Sequence, residues 1–193
     1  MNRDTDNQSP SGERADKEAY LYHLLPVNLR GNILYPLNAL IERFPDIYKR
    51  QVKKYAGREY LTRQRIPRLN CLWNDVLHLS PVSPLKIKQA LITAGSDPNF
   101  TISCYRIDPT IIEARKAIVY LFTYDNERDK MEEKDFMAYN PSEIAEFSPM
   151  PPATIDYYRK MIGKGQWPLV YHRIPHILFK GTLNITDLPI VSV

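Results

Sequence analysis

Ala117-Ile118-Val119-Tyr120-Leu121-Phe122-Thr123-Tyr124 is the stretch on which the fold turns. It carries no charge, and its β-branched and aromatic side chains favour an extended backbone. A strand with one wet face alternates apolar and polar residues, whereas a strand covered on both faces reads as a continuous apolar run. The stretch therefore predicts a central, fully buried strand. Before it, Phe100 to Ile107 alternates in part and is rich in β formers, a second strand, and Asp108-Pro109 is expected to cap a helix over Thr110 to Lys116. After it, Asp125 to Asp135 is charged and reads as a mobile loop or exposed helix, and Ile144 to Phe147 as a further strand.

Toward the amino terminus, Ser83-Pro84 opens a clear helix, with Ser83 as N-cap and Pro84 at the first helical position; it runs through Ile87 and Leu91 and stops at Gly95. Leu69 to Leu79 is read as strand–turn–strand. Leu37 to Phe44 places apolar residues at 37, 40, 41 and 44, a helical stripe that Pro45 ends. Asp46 is the expected N-cap of a helix over Ile47 to Tyr55. Val27 to Leu34 reads as a short helix or turn interrupted by Gly31, and Ala19 to Leu24 as a strand that Pro26 stops. Toward the carboxyl terminus, Pro149, Pro151 and Pro152 introduce a helix over Ala153 to Ile162, halted by Gly163 and Gly165. His176 to Lys180 and Leu188 to Val193 are the last strand candidates. Strands and helices mix without a strict βαβ rhythm, so the expected class is α+β: one domain over 19–193, with a split central antiparallel or mixed sheet flanked by helices, behind a disordered tail over 1–18.

Composition narrows the function classes. In 193 residues there are 16 prolines and only 7 glycines, which favours stiff connections over a glycine-hinged phosphate loop. No GxGxxG, GxxxxGK[ST], HExxH, EF-hand or GxSxG pattern is present. The two cysteines, Cys71 and Cys104, lie in apolar surroundings and read as buried free thiols, with a disulfide or a catalytic thiol as the alternatives. His172 and His176 are four apart, but Pro175 argues against a helical metal pair, so no metal is expected. The polar opening has no apolar signal core, and no apolar run reaches the roughly 18 residues of a membrane span. The expectation is a cytoplasmic protein without a membrane partner, or an effector injected into a host.

Net charge is +4, unevenly spread. Lys49, Arg50, Lys53, Lys54, Arg58, Arg63, Arg65 and Arg68 crowd one stretch against a single acid, Glu59. Tyr48, Tyr55 and Tyr60 are interleaved with them. Cations neutralise phosphates and aromatic rings stack on bases, so Lys53, Lys54, Arg58, Arg63 and Arg65 are candidate nucleic-acid contacts, for DNA or RNA. The same pattern also fits an amphipathic segment with its tyrosines inward and lysines in water.

Tyr22-His23-Leu24-Leu25-Pro26, followed by Asn28-Leu29 and Ile33-Leu34, resembles the opening of the DNA-modifying ADP-ribosyltransferase toxins, the DarT-like group, where a strand-borne His precedes an "NL…I" segment. Asp75 to Pro84 is similar to that family's strand ending in a Ser-Pro turn, and Ala117 to Tyr124 to its apolar central strand. Ala145-Glu146-Phe147 with Pro151-Pro152 and Ile155 looks like the place of the catalytic Glu. The pieces are short and cover about two-thirds of the chain. Leu24 and Leu25 stand where the family usually has Thr or Ser after the His, Glu143 competes with Glu146, and Arg58 and Arg63 both compete for the family's arginine.

The resemblance implies an enzyme that uses NAD to modify a nucleic-acid or protein acceptor. In that reading Glu146 stabilises the positive charge that develops on the ribose, and His23 holds the cofactor's other ribose. Tyr22, Tyr105 and Tyr124 would stack on the rings, with packing in the core as the alternative for aromatic residues on strands, and Asn28 would join His23, Tyr22 and Tyr105 in holding NAD. The competing readings are a non-catalytic nucleic-acid- or partner-binding module using the 49–68 stretch, and an effector that docks a host protein through its tyrosine- and proline-rich surface.

Overall fold

The computed structural model describes residues 19–123 and 131–193. The expected tail over 1–18, Tyr124 and the acidic stretch up to Lys130 lie outside the described residues.

The buried run does form a strand, and the reason is visible in its two faces. Ala117–Tyr120 is buried at all four positions: Ala117 and Val119 enter one core, Ile118 and Tyr120 another. In chain order the strands are β1 (Leu21–Leu24), β2 (Ile33–Leu34), β3 (Arg65–Ile66), β4 (Cys71–Leu72), β5 (Leu77–Leu79), β6 (Ser103–Ile107), β7 (Ala117–Tyr120), β8 (Phe136–Ala138), β9 (His176–Phe179), β10 (Leu183–Asn184) and β11 (Ile190–Ser192). Among the described residues all pairings are antiparallel. One sheet runs β5-β9-β7-β8 and another β1-β6-β11, with two small ribbons, β10-β2 and β3-β4. Among the described residues the two larger sheets meet at a single bridge: Tyr22 and Ser80 exchange both backbone hydrogen bonds at 2.8 Å. The chain is an α+β protein.

The main core lies between these sheets. It draws Leu21 from β1, Tyr105 and Ile107 from β6, Leu77 and Leu79 from β5, Val119 from β7 and Ile177 from β9. On the other face of the β1-β6 sheet, Cys104 packs with helices α3 (Pro84–Thr93) and α4 (Pro152–Ile162) through Ile87, Leu91 and Tyr158. Helix α3 begins as expected, with Ser83 Oγ accepting from the Lys86 amide. Gly95 follows its end at φ +103°, a conformation natural to glycine.

A third group of residues forms a helical lobe with a small core of its own, Leu37, Leu40, Ile47 and Tyr55. It comprises a 3-10 turn over Leu37–Ala39, α1 (Leu40–Arg43), α2 (Pro45–Gln51) and further 3-10 turns over Val52–Tyr55 and Glu59–Arg63. Here the structure corrects two readings. Asp46 is no N-cap: the helix starts at Pro45, and Asp46 sits in its first turn, where its carboxylate pairs with Arg30 at 2.8 Å and Arg50 at 3.0 Å. The helix over Ile47 to Tyr55 also tightens into 3-10 geometry at Val52.

Other departures have similarly local causes. Thr110 to Lys116 forms two 3-10 turns, not one helix; Asp108 still caps the first through the Thr110 amide at 2.8 Å. Ile144 to Phe147 belongs to a 3-10 segment, Pro141–Phe147, started by Asn140, whose side chain accepts from the Ser142 amide. The central strand stops at Tyr120, because Phe122 turns into the left-handed region at φ 49°. Both cysteines are free and buried, as read. Among the described residues no helix is long and apolar enough to cross a membrane.

Candidate functional site

Strand alternation decides what faces the outer side of the β5-β9-β7-β8 sheet. Leu77 and Leu79 point into the main core, so His78 between them points the other way. On β9 the same rule sends Ile177 to the core and leaves His176 on the outer face, paired in register with Tyr120 of β7. His23 lies two positions beyond Leu21 on β1 and reaches the same space. The helical lobe covers this space on a second side. Tyr157 and Met161 of α4, with Leu169 to His172, close a third.

The result is a cleft of about 980 Å³ lined by all four histidines of the chain. Its wall is a connected set of rings. Trp73 sits 4.3 Å from His78 and 5.6 Å from Tyr120, and His78 is 6.1 Å from His176, centroid to centroid. Tyr120 stacks on Phe122 at 5.4 Å, Phe122 meets His172 edge-on at 5.3 Å, and His172 lies against Tyr157 at 3.9 Å. The positive φ of Phe122 is costly for a bulky residue, and it is what turns this ring onto Tyr120 at the cleft wall.

Hydrogen bonds fix the state of three of the imidazoles. A carbonyl can only accept, so His23 donates from Nδ1 to Leu24 O at 2.7 Å and His176 from Nδ1 to Ile174 O at 2.6 Å. His78 donates from Nε2 to Trp73 O at 3.0 Å. With those protons placed, the other ring nitrogen of each is a lone-pair acceptor. Burial keeps them neutral. It lowers His23 to about 4, against the opposing Leu24 bond and with help from Lys54, and lowers His176 to about 4. His78 is held well below the ordinary imidazole range by burial first, then by His176 and Lys54. Burial also pushes the Tyr55 hydroxyl at the cleft up to about 12, against a Trp73 side-chain bond.

Positive charge lines the lobe side of the cleft. Arg30, Arg50, Lys54 and Arg58 all line it, whereas among the described residues no Asp or Glu does. Asp46 engages Arg30 and Arg50. Arg58 donates to the Lys54 carbonyl at 2.9 Å. The Lys54 ammonium lies 5.2 Å from the Tyr55 ring, and its pKa is lowered by desolvation and then by Arg58. Its side chain is nonetheless exposed, so that desolvation is partial.

The candidate residues thus divide. His23, Tyr22, Lys54 and Arg58 come together in the cleft. Tyr105 is buried in the core between the sheets, with no ring at the cleft. Asn28 is exposed on a turn at φ 66° and does not line the cleft. Lys53, Arg63 and Arg65 point to solvent outside it, and Arg65 binds the Asn70 side chain at 2.7 Å. Glu146 is exposed and does not line the cleft; its segment is anchored by Ile144 in the core between the sheets, on the inner face of the β5-β9-β7-β8 sheet. Glu143 accepts from Asn140 Nδ2 at 2.7 Å, closing its own turn. The structure therefore does not join Glu146 to His23.

Sequence reasoning missed His78, His176, Trp73 and Asn74 as cleft residues. A signal existed for His78: a polar residue flanked by leucines in a strand marks the face away from the main core. Among the described residues no group of three or more His, Cys, Asp or Glu is placed to hold a metal ion.

No family model matches the sequence, and no curated protein or solved structure matches it.

Proposed function

We propose that this protein binds a nucleotide of the NAD class in the histidine cleft, as an ADP-ribosyltransferase-like protein. The observation that carries the reading is the composition of one cavity: aromatic rings and neutral imidazole acceptors on the sheet side, cations on the lobe side, and no Asp or Glu among its described lining residues. A nucleotide complements each part. Its bases stack on aromatic faces, its ribose hydroxyls donate to unprotonated imidazole nitrogens, and its phosphates sit against Arg and Lys. A cleft of about 980 Å³ has room for a dinucleotide, since ligand pockets run from about 300 to 1,000 Å³. His23 stands next to the Tyr22–Ser80 bridge between the two larger sheets, on the segment from which the resemblance is read.

The enzymatic form of the proposal is ADP-ribosyl transfer to a nucleic-acid or protein acceptor. The bond from the ribose C1′ to the nicotinamide nitrogen breaks, nicotinamide leaves with the electron pair, and an acceptor lone pair bonds to C1′ as the acceptor's proton passes to solvent. His23 would orient the cofactor from its ribose. Glu146, standing outside the cleft, takes no part in this form of the proposal.

The test is thermal melting of the full chain with and without NAD at low salt, followed by mass spectrometry of chain and single-stranded DNA after incubation. Binding raises the melting temperature in a concentration-dependent way. An unchanged melting temperature at millimolar NAD contradicts the reading. A shift without any ADP-ribosyl adduct keeps the binding site and removes the transfer.

A further inference from the structure

We infer that His78 and His176 form the sugar-reading pair of this cleft: their unprotonated ring nitrogens accept from the vicinal hydroxyls of a ribose held beside Trp73, which makes the site selective for ribonucleotides over deoxyribonucleotides. The inference rests on the nucleotide reading above and says which part of the ligand the site discriminates.

The two imidazoles stand on neighbouring antiparallel strands. Leu79 of β5 pairs with Ile177 of β9, so His78 and His176 lie diagonally across the pair, on the face away from the main core. Their rings are 6.1 Å apart and meet edge-on. Each spends its one proton on a carbonyl, His78 Nε2 on Trp73 O at 3.0 Å and His176 Nδ1 on Ile174 O at 2.6 Å. His78 Nδ1 and His176 Nε2 are left as lone-pair acceptors. Both rings are half-buried and line the cleft. Among the described residues neither of these two nitrogens has a hydrogen-bond partner, and neither is sealed from water. The sheet therefore offers the cleft two fixed acceptors that the fold does not use.

The rest of the cavity selects the donor. Nucleotide sites commonly hold a ribose hydroxyl with an Asp or Glu. No carboxylate lines this cleft among the described residues, so the imidazoles are the side-chain acceptors that the sheet face offers in its place. An uncharged acceptor does this without setting a negative charge beside a phosphate. Connectivity within the ligand points the same way. Lys54 is near enough to His78 for its charge to add, after burial and His176, to what keeps that ring neutral. A phosphate against Lys54 thus lies on the His78 side of the cleft, and the group joined to a nucleotide's phosphate is the ribose, not the base. A vicinal diol supplies two donors on adjacent carbons, one for the acceptor of each strand.

The test is calorimetric titration of the full chain with NAD and with its two analogues in which one or the other ribose is 2′-deoxy. Wild type, His78→Phe and His176→Phe are compared, and all are melted. A site built around a hydrogen bond rejects the analogue that lacks its donor, so wild type should lose about tenfold or more in affinity for at least one analogue. Phenylalanine keeps a ring and removes the lone pair, so in each folded variant NAD should bind little better than the rejected analogue. Equal wild-type affinity for the three ligands overturns the inference while leaving nucleotide binding intact. A preference that persists undiminished in the folded variants assigns the sugar to other groups and overturns it too. If neither variant folds, nitrogen-15 spectra of histidine-labelled wild type decide: the unprotonated nitrogens of His78 and His176 should move upfield with NAD and less with the rejected analogue, and resonances that stay in place overturn the inference. No binding of any of the three ligands overturns the nucleotide reading itself, and this inference with it.

Discussion

His78 donates its Nε2 proton to the Trp73 carbonyl at 3.0 Å while its ring lies 4.3 Å from the Trp73 indole. One residue pair therefore sets both the tautomer of the imidazole and the position of the largest ring in the cleft. The same pair joins β5 to the turn that carries Asn74 and Asp75, so the electrostatics and the shape of the site share a single support.

Protonation of the cleft imidazoles should destabilise the fold in a defined window. Folded His23 and His176 titrate near 4 and His78 well below its ordinary range, whereas an unfolded histidine titrates near 6.5. The unfolded chain therefore binds more protons, so the imidazole contribution is complete above about 6.5 and is lost as pH falls toward 4. The lowered carboxylates Asp46, Glu59, Asp108 and Glu113 act only below about 4.5, so the interval from pH 7 to 5 isolates the histidines. Over it we expect a loss of up to roughly 2 kcal/mol per buried imidazole. Denaturant melts at the two pH values measure it. A His78→Phe variant should show a shallower pH slope than wild type, and an unchanged slope would argue against a neutral, enclosed His78.

Asp75→Ala should loosen the lobe. It deletes the acceptor of the Leu72 amide and of Asn38 Nδ2, a part-buried pair of bonds that join the Trp73–Asp75 turn to the Leu37–Ala39 turn. Loss of about 1–3 kcal/mol is expected from the stranded donors. Tryptophan emission should shift to the red as Trp73 gains water, and emission that stays unchanged would show that the turn does not depend on Asp75. Trp167 is the other tryptophan and is already exposed, so a shift reports on Trp73.

Much of this architecture was legible in the residues, and the parts that were not have physical reasons. The run from Ala117 could be read because a doubly covered strand leaves no polar position, and Ser83-Pro84 because cap and first-turn chemistry are local. The strand–turn–strand read over Leu69 to Leu79 matches Cys71–Leu72, the turn Trp73–Asp75 and Leu77–Leu79, whereas Arg65–Ile66 and the pair Ile33–Leu34 with Leu183–Asn184 went unseen, since two-residue strands have no period to detect. Ile144 to Phe147 looked extended from its apolar content, but Asn140 and Pro141 start a tight turn upstream of it. Of the candidates singled out by position and charge, His23, Lys54 and Arg58 line the cleft, and Lys53, Arg63 and Arg65 do not. Tyr105 takes the core placement that stood as the alternative to ring stacking, because an aromatic residue on a strand looks the same on either face. The union of His78, His176 and His23 comes from three distant strands, a non-local fact that no spacing in the chain encodes.

Core substitution should separate fold from site. Leu79 is fully buried between the sheets, and Leu79→Ala should cost about 2–5 kcal/mol through lost contacts and the cavity left behind. Leu85 is half exposed on α3, and Leu85→Ala should change stability by no more than about 0.5 kcal/mol. Equal losses in urea melts would contradict the placement of the main core.

The cationic side of the cleft should matter to ligands and Glu146 should not. Lys54→Ala and Arg58→Ala each remove a charge that lines the cavity, so nucleotide affinity should fall several-fold, and its decline with salt should become shallower than in wild type. Glu146→Ala changes an exposed side chain outside the cleft and should leave affinity within about twofold. A large loss on Glu146→Ala in a folded variant would place the ligand somewhere other than this cleft.

The most direct test of the whole account is calorimetric titration of the wild-type chain with NAD at low ionic strength, alongside nicotinamide riboside, which has a ring and a ribose but no phosphate. The account predicts saturable binding of one NAD per chain, with the riboside much weaker because it leaves Lys54 and Arg58 without an anion. Absence of heat with NAD at millimolar concentration, or equal affinity for the two ligands, would contradict it.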